Sequence, residues 1–381
     1  MTPFELESRT RLVYGPGRLE RLGAIARELG FERTLLVADA GIVAAGFAAR
    51  AQRSLEAAGV AAACFSAFGH DPTSAMADAG AAAARSAGAT SLVGLGGGSS
   101  MDCAKSIGFL LANGGRMPDY RGWGKARQPL PPMIGVPTTA GTGSEAQAYA
   151  LVSDDATHEK MACGDPSAAF RVAILDPELL LSLPRAVTAA TGYDAIAHAV
   201  ETWVTTARNP ASDLFAREAF RLLDGCFERV LEAPLDLDAR GATLLGAHWA
   251  GAAISASMLG ATHACANPLT ARYGTTHGIA IALMLPHVVR WNGRIAGARY
   301  AELLAASGRA VREADAAEAL AARLEALAVA GGLPRGLQVA GVPESDLPAL
   351  AEEAAQQWTG RYNPRPFDAA AARELYRAAF A

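Results

Sequence analysis

Two side chains that can bind a metal ion lie four residues apart in the segment TAATGYDAIAHAVE, residues 188–201. The segment follows Pro184, is rich in alanine and contains a single glycine, Gly192, so it is predicted to be helical. On a helix, Asp194 and His198 share one face, with Cβ atoms about 6 Å apart. A surface ion pair is the alternative interpretation of such a spacing. The apolar residues around the pair favour burial, and buried polar groups need partners.

Two further histidines extend this candidate set. His263 lies in LGATHACANPL and His277 lies in YGTTHGIA. The spacing between them predicts the end of one helix, a break at Pro268 and the start of a new helix. One carboxylate and three imidazoles suit Zn²⁺ or Fe²⁺, whereas three nitrogen donors disfavour Mg²⁺. The sequence therefore predicts a divalent metal site formed by Asp194, His198, His263 and His277.

Loops that follow predicted strands carry candidate contacts for a dinucleotide. Asp39 ends a strand, where its carboxylate can accept hydrogen bonds from both ribose hydroxyls of an adenosine and would repel a 2′-phosphate, which favours NAD over NADP. Residues 94–102 read GLGGGSSMD and offer backbone amides ahead of a helix, which suits a pyrophosphate. Tight packing of strand against helix is the alternative. The run is not the common G-x-G-x-x-G fingerprint, since residue 99 is serine and Asp39 precedes the run instead of following it.

A second polar loop, PTTAGTGSE, occupies residues 137–145 after another apolar strand. It contains two glycines and four hydroxyl side chains, those of Thr138, Thr139, Thr142 and Ser144. This density of hydroxyl groups at the end of a strand favours contact with a polar ligand.

The order of the elements predicts how these residues are positioned. Short apolar strands are predicted at residues 11–14, 34–38, 61–65, 91–95 and 133–137, and helices separate them. This alternation is typical of a parallel sheet covered by helices on both faces, which binds ligands at the carboxyl ends of its strands. Helical periodicity dominates after residue 186. We therefore expect an α/β dinucleotide-binding domain over residues 1–184 and an all-helical metal-binding domain over residues 185–381.

The composition of the 381-residue chain narrows the class of protein. It is 51% hydrophobic and 19% charged, with a net charge of −4 and no basic run, so we expect no nucleic-acid or membrane partner. The start of the chain lacks a signal-peptide pattern and no window is long and apolar enough to span a membrane. The five cysteines are odd in number and form no C-x-x-C, which favours a reducing cytoplasm.

Six motifs, taken in order, identify a family. They are GGGSSMDCAK, PTTAGTGSE, LDPELLLSLP, TAATGYDAIAHAVE, THACANPL and YGTTHGIAIALMLPHVVRWN. Together they resemble the iron-containing (group III) alcohol dehydrogenases of the superfamily that includes dehydroquinate synthase and glycerol dehydrogenase. The resemblance covers nearly the whole chain. It implies an N-terminal dinucleotide domain, a helical C-terminal domain, NAD(P) and a divalent metal held in a cleft between them, and a homodimer.

The same resemblance assigns roles by matching positions. It implies that the metal ligands are Asp194, His198, His263 and His277. It implies cofactor contacts at Asp39, Gly97, Gly98, Ser99, Thr138, Thr139, Thr142, Ser144, Lys160 and Leu179. Lys160 would place an ammonium near the nicotinamide ribose, whereas Lys105 is expected to cap or pack.

The chain departs from the family pattern at two positions. Many members have a second histidine four residues after His263, to which a proton-relay role is assigned, and this chain has Asn267 there. We therefore treat Asn267 as the candidate catalytic residue, whose effect on the proton relay the sequence does not reveal. The alternative is that its side chain only satisfies backbone groups near Pro268. Ile254 occupies the position of a frequent aromatic residue in the substrate pocket.

These features predict a metal-dependent NAD(H) oxidoreductase that interconverts a small alcohol and its aldehyde or ketone. The metal would stabilise the alkoxide that develops on the substrate, and the nicotinamide would accept the hydride. A polyol dehydrogenase and a maleylacetate-type reductase are alternatives within the superfamily. A catalytically silent ligand-binding homologue is an alternative from another class.

Overall fold

The computed structural model describes residues 4–157 and 159–381. The chain folds into two compact units. The first contains residues Glu7–Thr139 and Gly143–Ser182, and the second contains Leu183–Ala381 with a short N-terminal segment and Ala140–Thr142. The second unit thus takes three residues from the middle of the PTTAGTGSE loop.

The first unit is built on a parallel sheet of six strands. The strands are β1 (Arg11–Tyr14), β2 (Arg33–Val37), β3 (Ala61–Phe65), β4 (Ser91–Gly96), β6 (Met133–Pro137) and β9 (Val172–Leu175). Their order across the sheet is β1-β9-β6-β4-β2-β3. Every residue of β4 and β6 is buried, which explains why these central strands are apolar without alternation. The helices of this unit are α1 (Leu22–Glu28), α2 (Ala40–Ala44), α3 (Phe47–Ala57), α4 (Ser74–Ser86) and α5 (Gly98–Asn113).

A second, three-stranded sheet lies in the same unit and was not predicted. Its strands are β5 (Gly122–Trp123), β7 (Tyr149–Ser153) and β8 (Lys160–Gly164), with β8 in the middle. β7 pairs antiparallel with β8, and the ring of Tyr149 packs against Trp123 with centroids 5.0 Å apart. Short strands of mixed polarity such as these carry little period-2 signal, so the sequence alone does not reveal them.

The second unit is helical throughout its regular structure. Its helices are α6 (Arg185–Val204), α7 (Pro210–Glu232), α8 (Leu237–Ala256), α9 (Ala261–Tyr273), α10 (His277–Ala306), α11 (Glu313–Gly331), α12 (Leu347–Ala355) and α13 (Ala369–Ala378). The helix α6 is buried on almost all sides, because α7, α8, α10 and α11 pack around it. The parallel sheet and the helical second part confirm the predicted fold class.

The helix break that we expected at Pro268 is absent from α9. Pro268 does not break the chain but lies inside α9, which continues to Tyr273 and ends at Gly274 with a φ of 63°. A proline inside a helix removes one backbone hydrogen bond, here the one that residue 268 would donate to the Ala264 carbonyl, and the Tyr376 hydroxyl donates to the neighbouring Cys265 carbonyl at 2.7 Å. The helix that carries His263 therefore ends at Gly274, and the helix that begins with His277 follows.

A smaller correction concerns the stretch after Asp39. Between the strands predicted at residues 34–38 and 61–65 we expected one helix, and the structure has two, α2 and α3, separated at Gly46, whose φ of 80° no right-handed helix can hold. No single helix in the described ranges has the length and apolarity needed to cross a membrane, although α8 and α9, bent by 106°, pass that test as a pair.

Candidate active site

The helix α6 positions the first two candidate metal ligands. Asp194 and His198 lie one turn apart on this helix, and both are 5% exposed. His263 lies in the first turn of α9, and His277 is the first residue of α10. Three helices therefore converge on one point within the second unit.

One carboxylate oxygen is the centre of this arrangement. The Nε2 atoms of His198, His263 and His277 lie 3.4, 3.5 and 3.7 Å from Oδ1 of Asp194. Asp194, His263 and His277 offer ligand atoms that all lie within 4.8 Å of one another; His198 is not part of that compact trio but flanks it, with its ring stacked on His263 at 4.8 Å. The structure thus brings all four predicted ligands together.

The donor set fits a divalent ion. Metal–ligand bonds of about 2.0–2.1 Å in a tetrahedron separate the ligand atoms by about 3.4 Å, close to the observed spacings. Asp194 Oδ1 and His263 Nε2 are buried, and neither finds a hydrogen-bond partner among the described residues. Such groups are costly to bury alone, and a cation at their common point would satisfy both. Oxygen and imidazole donors match iron or zinc.

The electrostatics of the group also favour a cation. Burial alone would raise the pKa of Asp194, but the adjacent imidazoles outweigh burial and hold the pKa below its ordinary value. Burial lowers the pKa of His198 to about 4, so its imidazole is neutral at pH 7. Burial opposes protonation of His263 as well, yet the carboxylates of Glu201 and Asp194 raise its pKa. His198 and Asp194 are therefore already in the forms that bind metals, a neutral imidazole and an ionised carboxylate, whereas His263 has to release a proton when a metal binds.

A close helix contact sets the position of His277. The next residue, Gly278, is buried where α10 crosses α6. A Cβ atom built on Gly278 would lie only 2.0 Å from the carbonyl oxygen of Ala190. Glycine therefore lets the start of α10 approach α6 and carry His277 to Asp194.

Asn267 lies one helical turn after His263 and is half-buried. Its Nδ2 donates to Oε1 of Gln357 at 3.0 Å. The carboxamide is thus held by a side chain, which differs from the expected alternative of satisfying backbone groups.

In the first unit, the loop after β4 forms a cradle of backbone. Gly96 has a φ of 144°, and a Cβ on it would lie 2.2 Å from Ser100 Oγ, so the turn into α5 requires glycine. Gly97 precedes α5 and Gly98 begins it, so the first amides of that helix are free of side chains. Thr138 N donates to the Gly96 carbonyl at 2.9 Å, which joins this loop to the next one.

Asp39 has a structural role as well. Its Oδ1 accepts from the amides of Gly41 and Ile42 at 2.8 and 3.1 Å, which caps α2. Its Oδ2 lies 3.4 Å from Ser100 Oγ, and the side chain is half-exposed. Asp39, the glycine loop, Thr138 and Thr139 are therefore neighbours at the carboxyl ends of β2, β4 and β6.

The remaining predicted cofactor contacts are placed differently. Lys160 is exposed and pairs with Asp71 at 3.1 Å, and the Ser99 hydroxyl donates to the His70 carbonyl. Thr142 belongs to the second unit. Leu179 is 0% exposed, which leaves it no surface for a cofactor to contact in this structure.

A buried polar cluster in the first unit was missed by the sequence reasoning. Nζ of Lys105 is fully buried and donates to Ser144 O and Oγ, both at 2.8 Å, and to Tyr149 O at 2.7 Å. The Ser144 hydroxyl in turn donates to Asp102 Oδ1 at 2.8 Å. Burial lowers the pKa of Lys105 to about 8. Ser144 is thus tied into the interior, and Lys105 packs as expected while holding the end of the PTTAGTGSE loop.

Glu201 was also missed, although it ends the motif from which the metal site was predicted. It follows Asp194 by seven residues, which is two helical turns and therefore the same face. It is 4% exposed and contacts His263. The helical spacing was a signal that could have identified it.

Comparison with known proteins agrees with this geometry. The family model described as iron-containing alcohol dehydrogenase matches residues 9–177, and the model of the C-terminal part of that family matches residues 188–380. The chain is 33% identical to the NAD-dependent methanol dehydrogenase of Bacillus methanolicus over 93% of both chains. It is 32% identical to the lactaldehyde reductase of Escherichia coli (strain K12), over 96% of this chain and 97% of that protein. A crystal structure of a 1,3-propanediol oxidoreductase superimposes with a TM-score of 0.97 at 32% identity, with both chains fully covered.

Proposed function

This chain belongs to the iron-containing alcohol dehydrogenase family, and from that premise we propose which of its residues hold the metal, the dinucleotide and the transferred proton. Membership confirms the family resemblance and the predicted activity, an alcohol dehydrogenase of the iron type. Methanol, lactaldehyde and 1,3-propanediol are the substrates named for three relatives, so we propose a small alcohol or aldehyde as the substrate here.

The proposed metal ligands are Asp194, His198, His263 and His277, and the ion is iron or zinc. One observation carries this assignment: three imidazole Nε2 atoms surround a single buried carboxylate oxygen that has no other partner in the described part of the chain. When bound, the ion supplies positive charge that stabilises the negative charge developing on the substrate oxygen during hydride transfer to NAD. The buried side chains of Asp194, His198 and His263 would hold the ion and keep water away from their side of the site.

The proposed dinucleotide contacts centre on Asp39 and the glycine loop. Asp39 would accept from the adenosine ribose and repel a 2′-phosphate, which selects NAD. The amides at the start of α5 would bind the pyrophosphate. The further contacts that we propose are Gly97, Gly98, Ser99, Thr138, Thr139, Thr142 and Lys160. Ser144 has a supporting role, since Lys105 and Asp102 bind its hydroxyl, and Leu179 is too deeply buried to be a contact.

Asn267 is proposed as the residue that shapes proton movement. A carboxamide has no pKa near neutrality, so it can donate or accept a hydrogen bond but cannot relay a proton by titrating. General acid–base assistance contributes about 10²–10⁴-fold, so we expect slow alcohol oxidation unless water or a cofactor hydroxyl supplies the route.

We further propose a cytoplasmic homodimer. All five cysteines are free, which suits a reducing compartment, and the dimer is what the family resemblance implies. A polyol dehydrogenase remains close to the proposed activity. A maleylacetate-type reductase would require a fixed cation for its carboxylate substrate, and the sequence near the metal ligands offers no obvious one. A silent homologue is disfavoured because the ligand set is complete.

The test is NADH oxidation over a panel of small aldehydes, with the protein loaded in turn with Fe²⁺ and Zn²⁺. We expect turnover with at least one ion, and His263→Ala should lose both metal retention and turnover. His248→Gln is the matched control, because His248 is buried in the same unit but lies outside the ligand set. The assignment is wrong if His263→Ala keeps stoichiometric metal and wild-type turnover.

A further inference from the structure

Glu201 connects two parts of the second unit through its two carboxylate oxygens. Oε1 accepts from the backbone amide of Thr262 at 2.6 Å, and Oε2 contacts Nδ1 of His263. The residue lies on α6, seven positions after Asp194, and is 4% exposed. One buried carboxylate therefore binds the backbone and the imidazole of consecutive residues in α9.

The start of α9 depends on such outside groups. Its N-cap residue is Gly260, which has no side chain to cap the first amides. Asn363 Oδ1 accepts from the amide of Ala261 at 3.3 Å, and Glu201 accepts from the next amide. A Cβ on Gly260 would lie 3.1 Å from both Glu201 Oε1 and Asn363 Oδ1, so glycine leaves room for the two acceptors. The position of His263 thus follows from the position of Glu201.

The contact at Nδ1 also decides which nitrogen can bind a metal. A neutral imidazole carries its proton on one ring nitrogen and a lone pair on the other. When a metal binds Nε2, the ring keeps a single proton, and the carboxylate oxygen of Glu201 accepts that proton's hydrogen bond at Nδ1. Nε2 on the opposite side of the ring then keeps its lone pair, and it lies 3.5 Å from Asp194 Oδ1.

We propose that Glu201 is a positioning residue for the metal site: it fixes both the tautomer of His263 and the position of α9 against α6. The inference rests on the proposed metal-binding function, and Glu201 itself binds no metal. Outer groups of this kind commonly change metal affinity by about 10- to 100-fold when they are replaced.

Glu201→Gln is a sharp test because it changes the shape of the side chain very little. Both partners of Glu201, the Thr262 amide and the His263 Nδ1–H, are donors, whereas glutamine offers one acceptor and one donor. If the amide oxygen faces Thr262, the NH₂ group faces His263 and forces the proton onto Nε2. If the amide is turned round, two N–H groups oppose each other at Thr262.

The measurement is the affinity of the folded protein for Zn²⁺ by competition with a chelator, alongside the thermal midpoint. We expect Glu201→Gln to weaken zinc binding by about 10- to 100-fold. Asp224→Asn is the matched control: Asp224 is a buried carboxylate of the same unit, paired with Arg309 and Arg323 at 3.1 and 2.6 Å and away from the ligands. The control should lower the thermal midpoint without changing zinc affinity.

Wild-type zinc affinity in folded Glu201→Gln would overturn the proposal. If that variant does not fold, the zinc-loaded wild-type protein with ¹⁵N-labelled histidines gives the answer, with His263 identified by its loss in His263→Ala. A proton on Nδ1 and the metal on Nε2 support the proposal, and the reverse arrangement overturns it. A wild-type protein that binds no zinc and no iron would instead contradict the proposed metal site itself.

Discussion

Replacing Gly278 by alanine tests whether the approach of α10 to α6 sets the metal site. The added Cβ would lie 2.0 Å from the Ala190 carbonyl oxygen, whereas Cβ atoms essentially never come within 3.0 Å of a neighbour. The obstacle is backbone, so it cannot rotate away as a side chain could. The start of α10 must therefore move by about 1 Å, half the length of a metal–ligand bond.

The cost of this movement can be estimated. Overpacking of a well-packed interior costs about 1–3 kcal/mol. If the strain is relieved by drawing His277 away from Asp194, now 3.7 Å apart, the same free energy corresponds to a loss of about 5- to 150-fold in metal affinity. If the helices instead stay together, the loss appears as a lower thermal midpoint.

The assay is zinc competition and thermal unfolding of Gly278→Ala beside Gly225→Ala. Gly225 lies exposed in the middle of α7, and no described atom would come within 4 Å of its added Cβ. Alanine there should stabilise the protein by about 0.5–1 kcal/mol. The reasoning is refuted if Gly278→Ala binds zinc with wild-type affinity and unfolds at the wild-type midpoint.

Three further predictions concern the dinucleotide loops and the proton. Asp39→Ser keeps a capping oxygen for α2 but removes the charge, so the kcat/KM ratio should shift toward NADP; a wild-type enzyme that already prefers NADPH would contradict the assignment. Asn267→His should raise kcat for alcohol oxidation and add a limb near the imidazole pKa, and an unchanged pH–rate profile in a folded, metal-loaded variant would count against a relay. Lys105→Met should cost about 3–5 kcal/mol and raise KM for NAD, because Ser144 O and Tyr149 O lose a buried donor. Burial lowers the pKa of Lys105 to about 8 from 10.5, so the unfolded chain binds more protons than the folded chain between those two pH values. The wild-type protein should therefore gain stability over Lys105→Met from pH 8 to pH 10. A difference in unfolding free energy that does not change with pH would contradict this.

Residues whose role depends on local spacing could be predicted from the sequence. The helical repeat placed Asp194 and His198 on one face, and the apolar runs marked the central strands β4 and β6 within one residue of their ends. The convergence of α9 and α10 on Asp194 is a tertiary fact, which local spacing does not show; the donor chemistry of the histidines and the family motifs suggested it.

What the sequence did not reveal depends on contacts over long distances. Lys105 looks like any helical lysine until the fold buries its ammonium against Ser144 and Tyr149. Pro268 looked like a break because the penalty for a helical proline is large, and the Tyr376 hydroxyl that bonds α9 at the Cys265 carbonyl lies more than a hundred residues away. Glu201 lay on the predicted face, but its partners Thr262 and His263 are 61 and 62 residues further on.

The four candidate ligands differ in their access to solvent, and this inequality has a kinetic consequence. The side chain of His277 is 34% exposed, whereas those of Asp194, His198 and His263 are 5–6% exposed. An ion leaving the site would give up the exposed imidazole first and stay held by three buried donors, so exchange should be stepwise. A small chelator would attack from the His277 side, and its rate of metal removal should depend on its size more than on its affinity. We therefore expect the first turn of α10 to set the speed of metal exchange, separately from how tightly the ion is bound.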